Sequence, residues 1–215
     1  MILNKLKVLL MALCLVAVSA STVFAEQSPQ ERVKEGADRL IKILSETDIS
    51  DPVQHDAKIA ELRNVAEKYI DFRLVTMYSV GRPWLKMSKQ MQDDLTEAFI
   101  QLLERTYLKR IPAYEGQGVQ YKKEIIKGKK AKVVTEIIDK DKKIVVEFRL
   151  KTVRGQWMIY DVVAEGVSLV ANYRSQFSQV LSDGTPEELL KLIQKRIKKL
   201  DEDDEDESAE PSANS

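Results

Sequence analysis

The adjacent residues Tyr160 and Asp161 are the best candidates for chemistry in this chain, because a phenol and a carboxyl group can share acid–base work inside an apolar cavity. Residues that follow one another in a strand point to opposite faces, so both side chains could line one pocket only if a bulge interrupted the strand. Most buried polar groups in proteins are simply hydrogen-bonded. We therefore favour a structural role for this pair over a catalytic one.

Other kinds of catalytic or metal site lack the residues that they need. His55 is the only histidine and Cys14, near the N-terminus, the only cysteine, so a zinc site lacks ligands, and any nucleophile–histidine pair would depend on His55 as its base. His55 lies beside Asp56 in a polar stretch, as an ordinary exposed residue does. The stretch from Lys127 to Lys130 joins two predicted strands and precedes no helix, so we interpret it as a basic hairpin tip rather than a phosphate-binding loop. We expect no enzyme activity, no metal and no cofactor.

The first 25 residues have the pattern of a cleaved secretory signal. Lys5 and Lys7 precede an apolar run over residues 8–18, and Val23 and Ala25 occupy the −3 and −1 positions of a cleavage site. This run has 11 residues, whereas a membrane-spanning helix needs about 20. We expect cleavage after Ala25 and a mature chain without cysteine, which must rely on its core instead of disulfides.

Charge is distributed unevenly along the chain, although the whole sequence is neutral. Two of the 34 basic residues lie in residues 1–25 and eight of the 34 acidic residues follow Leu200, so residues 26–200 carry +6 and residues 201–215 carry −8. A basic body favours anionic partners such as lipid headgroups or acidic protein faces. The tail, residues 201–215, cannot bury apolar area and is predicted to be disordered. Nucleic acid is a poor candidate, because the charge excess is modest and the aromatic residues lie on apolar stripes.

Hydrophobic spacing divides the body, residues 26–200, into helices, a sheet and further helices. Helical spacing over residues 28–112 predicts four helices, which begin near Ser28, Asp51, Asp71 and Ser88, the last being the longest. Period-two alternation over residues 119–164 predicts an antiparallel meander of four strands, at 119–126, 131–138, 143–153 and 156–163. Two helices, 167–181 and 186–200, complete residues 167–200. This order predicts an α+β fold.

The segment after the last predicted strand carries the most distinctive pattern. Tyr160-Asp161 is followed by Glu165-Gly166-Val167-Ser168, in which Gly166 suits a tight turn from the strand into a helix. Further upstream lie three more elements, namely Tyr69-Ile70-Asp71-Phe72, then Gly81 with Trp84, then Phe99, Leu102, Leu103 and Tyr107. In this order, over roughly residues 30–198, the four elements resemble the MlaC-type periplasmic phospholipid-binding proteins, also called the toluene-tolerance family.

The resemblance implies both a fold and a function. The implied fold is a twisted antiparallel sheet of the NTF2-like kind, with helices on its concave face and a deep cavity between them for acyl chains. The implied function is that of a monomeric periplasmic carrier, which shuttles phospholipid between membrane complexes and so maintains outer-membrane lipid asymmetry. The implied partners are an MCE-domain ring with its ABC transporter at the inner membrane and a lipoprotein–porin complex at the outer one. Phospholipid is then cargo, not a cofactor.

The inward strand faces and the helical stripes supply candidates for the wall of such a cavity, although plain core packing accounts for each of them equally well. Tyrosines are the better candidates, because a ring can lie against acyl chains while its hydroxyl faces water. The thirteen candidates are Val75, Tyr78, Phe99, Leu103, Tyr107, Ile144, Val146, Phe148, Val163, Val167, Val170, Tyr173 and Phe177.

Two other functions remain open on the sequence alone. One is a periplasmic enzyme with an NTF2-like fold, which would use Tyr160 or Asp161 on a small apolar substrate. The other is a scaffold whose sheet docks a partner. Extractable phospholipid would favour the carrier, turnover lost in Asp161→Asn would favour the enzyme, and a well-packed empty core would favour the scaffold.

Overall fold

A computed structural model describes residues 27–46, 55–107, 118–139 and 142–209. Helices α1 (Pro29–Ser45), α2 (His55–Tyr69), α3 (Phe72–Val80) and α4 (Lys89–Tyr107) come first, with a 3-10 turn at Arg82–Lys86. Strands β1 (Gly118–Lys127), β2 (Lys130–Asp139), β3 (Lys142–Val153), β4 (Gln156–Ala164) and β5 (Val167–Ser168) follow, and then helices α5 (Leu169–Asp183) and α6 (Pro186–Ala209). The predicted signal, the helix start at Asp51 and the side chain of His55 lie outside the described residues.

The helix starts that the sequence predicts near Ser28, Asp71 and Ser88 are capped by these residues in the structure. Ser28 and Glu31 form a capping box at α1, and the Asp71 carboxylate accepts a hydrogen bond from the Leu74 amide at 2.9 Å. The Ser88 hydroxyl accepts from the Met91 amide at 3.1 Å. Each cap satisfies a backbone amide that has no partner inside its helix, so short local patterns fix where these helices begin.

The sheet confirms the α+β prediction but has five strands, in the order β1-β2-β3-β4-β5 and antiparallel throughout. The prediction of four strands is wrong, because the turn at Glu165 (φ 49°) and Gly166 (φ 84°) leads into the two-residue strand β5. Two residues are too short for alternation to reveal them. Helix α5 consequently begins at Leu169, capped by Ser168, and not at residue 167. The NTF2-like description of the sheet stays a prediction.

The last helix is longer than predicted. Helix α6 extends to Ala209 instead of ending at Leu200, and it is longer than α4. The expected disorder is therefore wrong for residues 201–209, and residues 210–215 lie outside the described part of the chain. Asp201 accepts a 2.6 Å hydrogen bond from Arg105 Nε on α4, and Lys198 pairs with Glu202 one turn along. These ion pairs favour continuation of the helix past the start of the acidic run.

Buried apolar side chains form two separate clusters. The helical core joins α3, the 3-10 turn and α4 to α5 and α6, and consists of Val75, Val80, Trp84, Leu95, Ala98, Phe99, Leu102, Tyr173, Phe177, Leu189, Ile193 and Ile197. The sheet core joins β2, β3 and β4 to α1 and α2, and consists of Val33, Tyr69, Ala131, Val133, Leu150, Trp157 and Ile159. Among the described helices, none is long and apolar enough to cross a membrane.

Candidate functional site

A cavity of about 550 Å³ lies between the two cores. Helices α1 to α4 form one side of it, and β4, β5 and the start of α5 form the other. Its polar lining is confined to a few side chains, while the rest of the wall is apolar. The volume lies within the ~300–1,000 Å³ typical of ligand sites, and an apolar wall with few polar groups is their usual composition.

Helix α4 contributes to the cavity with one stripe and to the helical core with the neighbouring one. Ile100, Leu103, Glu104 and Tyr107 line the cavity, at the i, i+3, i+4 and i+7 spacing of a single helix face. Phe99 and its neighbours on the adjacent face belong instead to the helical core. Two consecutive residues of α4 can therefore face different surroundings: Phe99 lies in the helical core, whereas Ile100 lines the cavity.

Four of the thirteen candidates lie in the cavity wall, namely Val75, Leu103, Tyr107 and Val167. Tyr107 is 44% exposed and Val167 is 64% exposed, so these two mark the mouth. Contact of these four residues with a lipid stays a prediction.

Most of the other helical candidates lie in or beside the helical core. The Phe99 ring packs edge-on against those of Tyr173 and Phe177, with centroids 4.7 and 5.2 Å apart, and all three side chains are buried. Val170 is partly buried against the same cluster. Tyr78 instead packs edge-on against Tyr160, at 5.2 Å.

The strand candidates lie beside the wall or behind it. Val146 and Phe148 are directly opposite Ala164 and Val162, which do line the cavity, so β3 lies one strand behind the wall that β4 forms. Ile144 is two residues further along β3 from Val146. Val163 pairs with Glu147 and so lies on the other face of the sheet from Val162.

The wall also contains residues that the sequence analysis did not select. The spacing of Leu62, Ala66 and Ile70 on α2 is a signal that could have found three of them. The full set is Leu40, Leu62, Arg63, Ala66, Ile70, Phe72, Ile100, Glu104, Ile159, Asp161, Val162, Ala164, Leu169 and Asn172.

Asp161 is buried in the cavity wall, and both of its carboxylate oxygens accept hydrogen bonds. Its Oδ2 accepts hydrogen bonds from Arg149 Nη1 at 3.0 Å and from the Ser168 hydroxyl at 2.7 Å, and its Oδ1 accepts from the Val170 amide at 3.0 Å. The strand is bulged here, because Leu150 pairs with Ile159 and Arg149 with Asp161. These hydrogen bonds link β4 to the start of α5, so Asp161 and Ser168 have a structural role.

The bulge does not bring Tyr160 and Asp161 into one pocket. Asp161 lines the cavity, whereas the Tyr160 ring packs against Tyr78. Burial raises the pKa of Tyr160, so its phenol is no readier as a base than an ordinary tyrosine. Among the described residues, no cluster of three or more His, Cys, Asp or Glu could hold a metal ion.

Arg63 and Glu104 are the other charged groups in the wall. Arg63 donates to both carboxylate oxygens of Glu97, at 3.0 and 2.5 Å, and from Nε to Glu67 at 2.9 Å. Glu104 Oε1 lies 3.8 Å from Arg63 Nε, beyond hydrogen-bonding distance. Burial raises the pKa of Glu104, while hydrogen bonds from Arg63 lower the pKa of Glu97. The two carboxylates therefore differ in how well they are stabilised.

Comparison with known proteins adds a family and a fold. The sequence model of the family described as MlaC protein matches residues 34–195. The fold is similar to that of the phospholipid-binding protein from Ralstonia solanacearum, solved in complex with a phospholipid, with a TM-score of 0.70. That similarity covers 80% of this chain and 97% of the other, at 22% sequence identity. At this identity the likeness establishes the shared fold.

Proposed function

The chain belongs to the MlaC family, and on that premise we propose that it binds a phospholipid and carries it between membranes. The observation that carries the proposal is the apolar cavity of about 550 Å³ that lies between two clusters of buried side chains. The Ralstonia solanacearum protein, which has the same fold, was solved with a phospholipid bound. In the proposed complex the acyl chains occupy the cavity and the headgroup lies toward the mouth at Tyr107 and Val167.

The energetics of such a ligand constrain how it moves. A two-chain phospholipid has on the order of 30 methylenes, and at ~0.8 kcal/mol each their transfer from water approaches ~25 kcal/mol. Spontaneous release into water is then too slow to be useful. Uptake and delivery must occur while the mouth is in contact with a membrane or a protein that excludes water.

The family resemblance extends the proposal to location and partners. We place the carrier in the periplasm, where it receives or delivers lipid at an MCE-domain ring with its ABC transporter on the inner membrane. A lipoprotein–porin complex is the proposed partner on the outer membrane, and the exchange between the two maintains lipid asymmetry. Cosedimentation of the purified protein with either complex tests this part separately from lipid binding.

A transfer assay between vesicles tests the carrier function. Protein loaded from donor vesicles with a labelled phospholipid is separated from them and mixed with increasing amounts of acceptor vesicles. Because delivery requires contact, we expect the rate of label transfer to rise with acceptor concentration and to be negligible in buffer alone. A rate that is independent of acceptor, or protein that takes up no lipid, would contradict the proposal.

A further inference from the structure

Glu104 Oε1 is a buried acceptor to which no group in the described part of the chain donates a hydrogen bond. It lies in the wall of the cavity, and its side chain is only 14% exposed. A buried polar atom without a partner is unfavourable and is rare in folded proteins, so each instance requires an explanation. Oε1 itself has almost no accessible surface, so a group in the cavity meets Glu104 through the remaining, partly exposed part of its side chain.

Arg63 forms an ion pair with Glu104 at 3.8 Å but donates no hydrogen bond to it. Arg63 hydrogen-bonds Glu97 through two nitrogens and Glu67 through Nε, and its contact with Glu104 is the longest of the three. One guanidinium therefore faces three carboxylates, and the more exposed pair takes its hydrogen bonds. The adjacent Arg105 donates to Asp201 and to the Gln101 carbonyl. The local charge around Glu104 therefore favours a cation in the cavity.

Glu104 lies close to the mouth of the cavity. It precedes Tyr107 by one helical turn on the same face of α4, and the Tyr107 side chain is 44% exposed. A group that reaches Glu104 therefore comes from the end of the ligand nearest to water. In a phospholipid that end is the headgroup.

We infer that Glu104 accepts a hydrogen bond from the primary ammonium of a zwitterionic phospholipid headgroup, so that the cavity selects ethanolamine-type lipids over headgroups that lack a cation. This inference rests on the proposed function and deepens it by naming a lipid class. A primary ammonium has three donors and a positive charge, and so can both hydrogen-bond the carboxylate and offset the excess negative charge. A quaternary ammonium matches the charge but has no donor for the carboxylate.

A competition experiment with the full chain tests the inference. The protein is equilibrated with vesicles containing equal amounts of phosphatidylethanolamine and phosphatidylglycerol with identical acyl chains, and the bound lipids are counted by mass spectrometry. We expect wild type to hold phosphatidylethanolamine in about tenfold excess, as one charge-assisted hydrogen bond allows. Glu104→Gln should bring the ratio close to one.

The matched control is Asp94→Asn, on the same helix but outside the cavity wall and bonded to Gln90 instead of Arg63, which should keep the wild-type ratio. A second competition, between phosphatidylethanolamine and phosphatidylcholine, needs only the wild-type protein. We expect the wild type to prefer phosphatidylethanolamine, whose ammonium is primary. Full loading without headgroup preference in wild type would overturn the inference and leave the carrier proposal standing. No loading with any lipid would overturn both.

Discussion

Helix α4 has two neighbouring faces that meet opposite surroundings. On one face Phe99 packs against Tyr173 and Phe177, and Leu95 is completely buried. On the other face Leu103 meets a cavity. The difference lies in the facing side chains, since α5 presents large rings to the first face, whereas α2 and β4 include Ala66 and Ala164 in the wall opposite the second. The wall around the second face thus includes small side chains, and enlarging one of them tests whether they keep the space open.

The largest difference between the two faces should appear when a leucine is truncated on each. We expect Leu95→Ala to lower the free energy of unfolding by roughly 3–5 kcal/mol, because it leaves a void in a close-packed core. Leu103→Ala should cost roughly half as much, because its side chain already borders empty space. Urea titration of lipid-free protein measures both. Equal costs would mean that the two faces are packed alike.

Replacing an alanine by a larger residue, once in the helical core and once in the cavity wall, is the converse of the leucine truncations. Ala98→Phe should destabilise the protein by about 1–3 kcal/mol, because Ala98 is buried in the helical core and has no room for a ring. Ala66→Phe should change stability by less than about 1 kcal/mol, since the ring enters the cavity. We expect the Ala66 variant to lose more than half of its bound lipid.

The Ala98 variant is the control for this pair and should retain wild-type lipid per folded molecule. The distinction between a filled and a hollow region would be untenable if Ala66→Phe bound lipid normally, or if both variants lost stability equally.

Alkaline titration separates the two cores more finely. Burial raises the pKa of Tyr173 to about 12 from its ordinary value of 10, so the unfolded chain loses the phenolic proton at a lower pH than the folded chain does. This contribution to stability is complete below pH 10 and is lost as the pH rises toward 12, by about 2 kcal/mol. Tyr173→Phe should flatten that slope in thermal unfolding.

Tyr121 is the counterpart beside the sheet core, where burial also raises its pKa to about 12. Because Tyr121 is only partly buried, we expect Tyr121→Phe to flatten the alkaline slope less than Tyr173→Phe does. If Tyr121→Phe flattened the slope more than Tyr173→Phe, the tyrosine beside the sheet core would be the one better shielded from water.

The smallest expected effect concerns the junction between the two regions. The Ser168 hydroxyl accepts from the Ala171 amide at 3.0 Å and donates to Asp161 at 2.7 Å, so it both caps α5 and supports the cavity wall. Thr185 caps α6 but does not line the cavity; its hydroxyl lies 3.3 Å from the Glu188 amide. We expect Thr185→Ala to cost about 1 kcal/mol and Ser168→Ala somewhat more. Calorimetry that ranked them in the opposite order would remove the proposed role of Ser168 in the wall.

Local patterns in the sequence predicted the elements well, whereas the wall of the cavity needed the structure. The Ser28–Glu31 box, the Asp71 cap and the strand alternation act over a few residues, and each is visible without the fold. Apolar spacing on α4 predicts only that a face is inward. Whether Phe99 or Ile100 meets the cavity depends on what α5, α2 and β4 place opposite it.

The bulge at Tyr160 accounts for another part of the difference. Strict alternation would keep Val163 on the face of Trp157 and Ile159, but the extra residue places Val162 there instead. One inserted residue thus exchanges wall and non-wall positions for the rest of the strand. Glu104 was missed because a charged residue within an apolar stripe is usually taken for a solvated position, and its burial emerges only from packing.

Native mass spectrometry of the protein, expressed with its own N-terminal segment and purified without detergent, tests the central claim most directly. We predict a stoichiometric adduct with the mass of a phospholipid on wild type, present also on Ala98→Phe and strongly reduced on Ala66→Phe. A wild-type protein that carries no lipid and acquires none from vesicles would contradict it, because the space between the two cores would then have no ligand to hold.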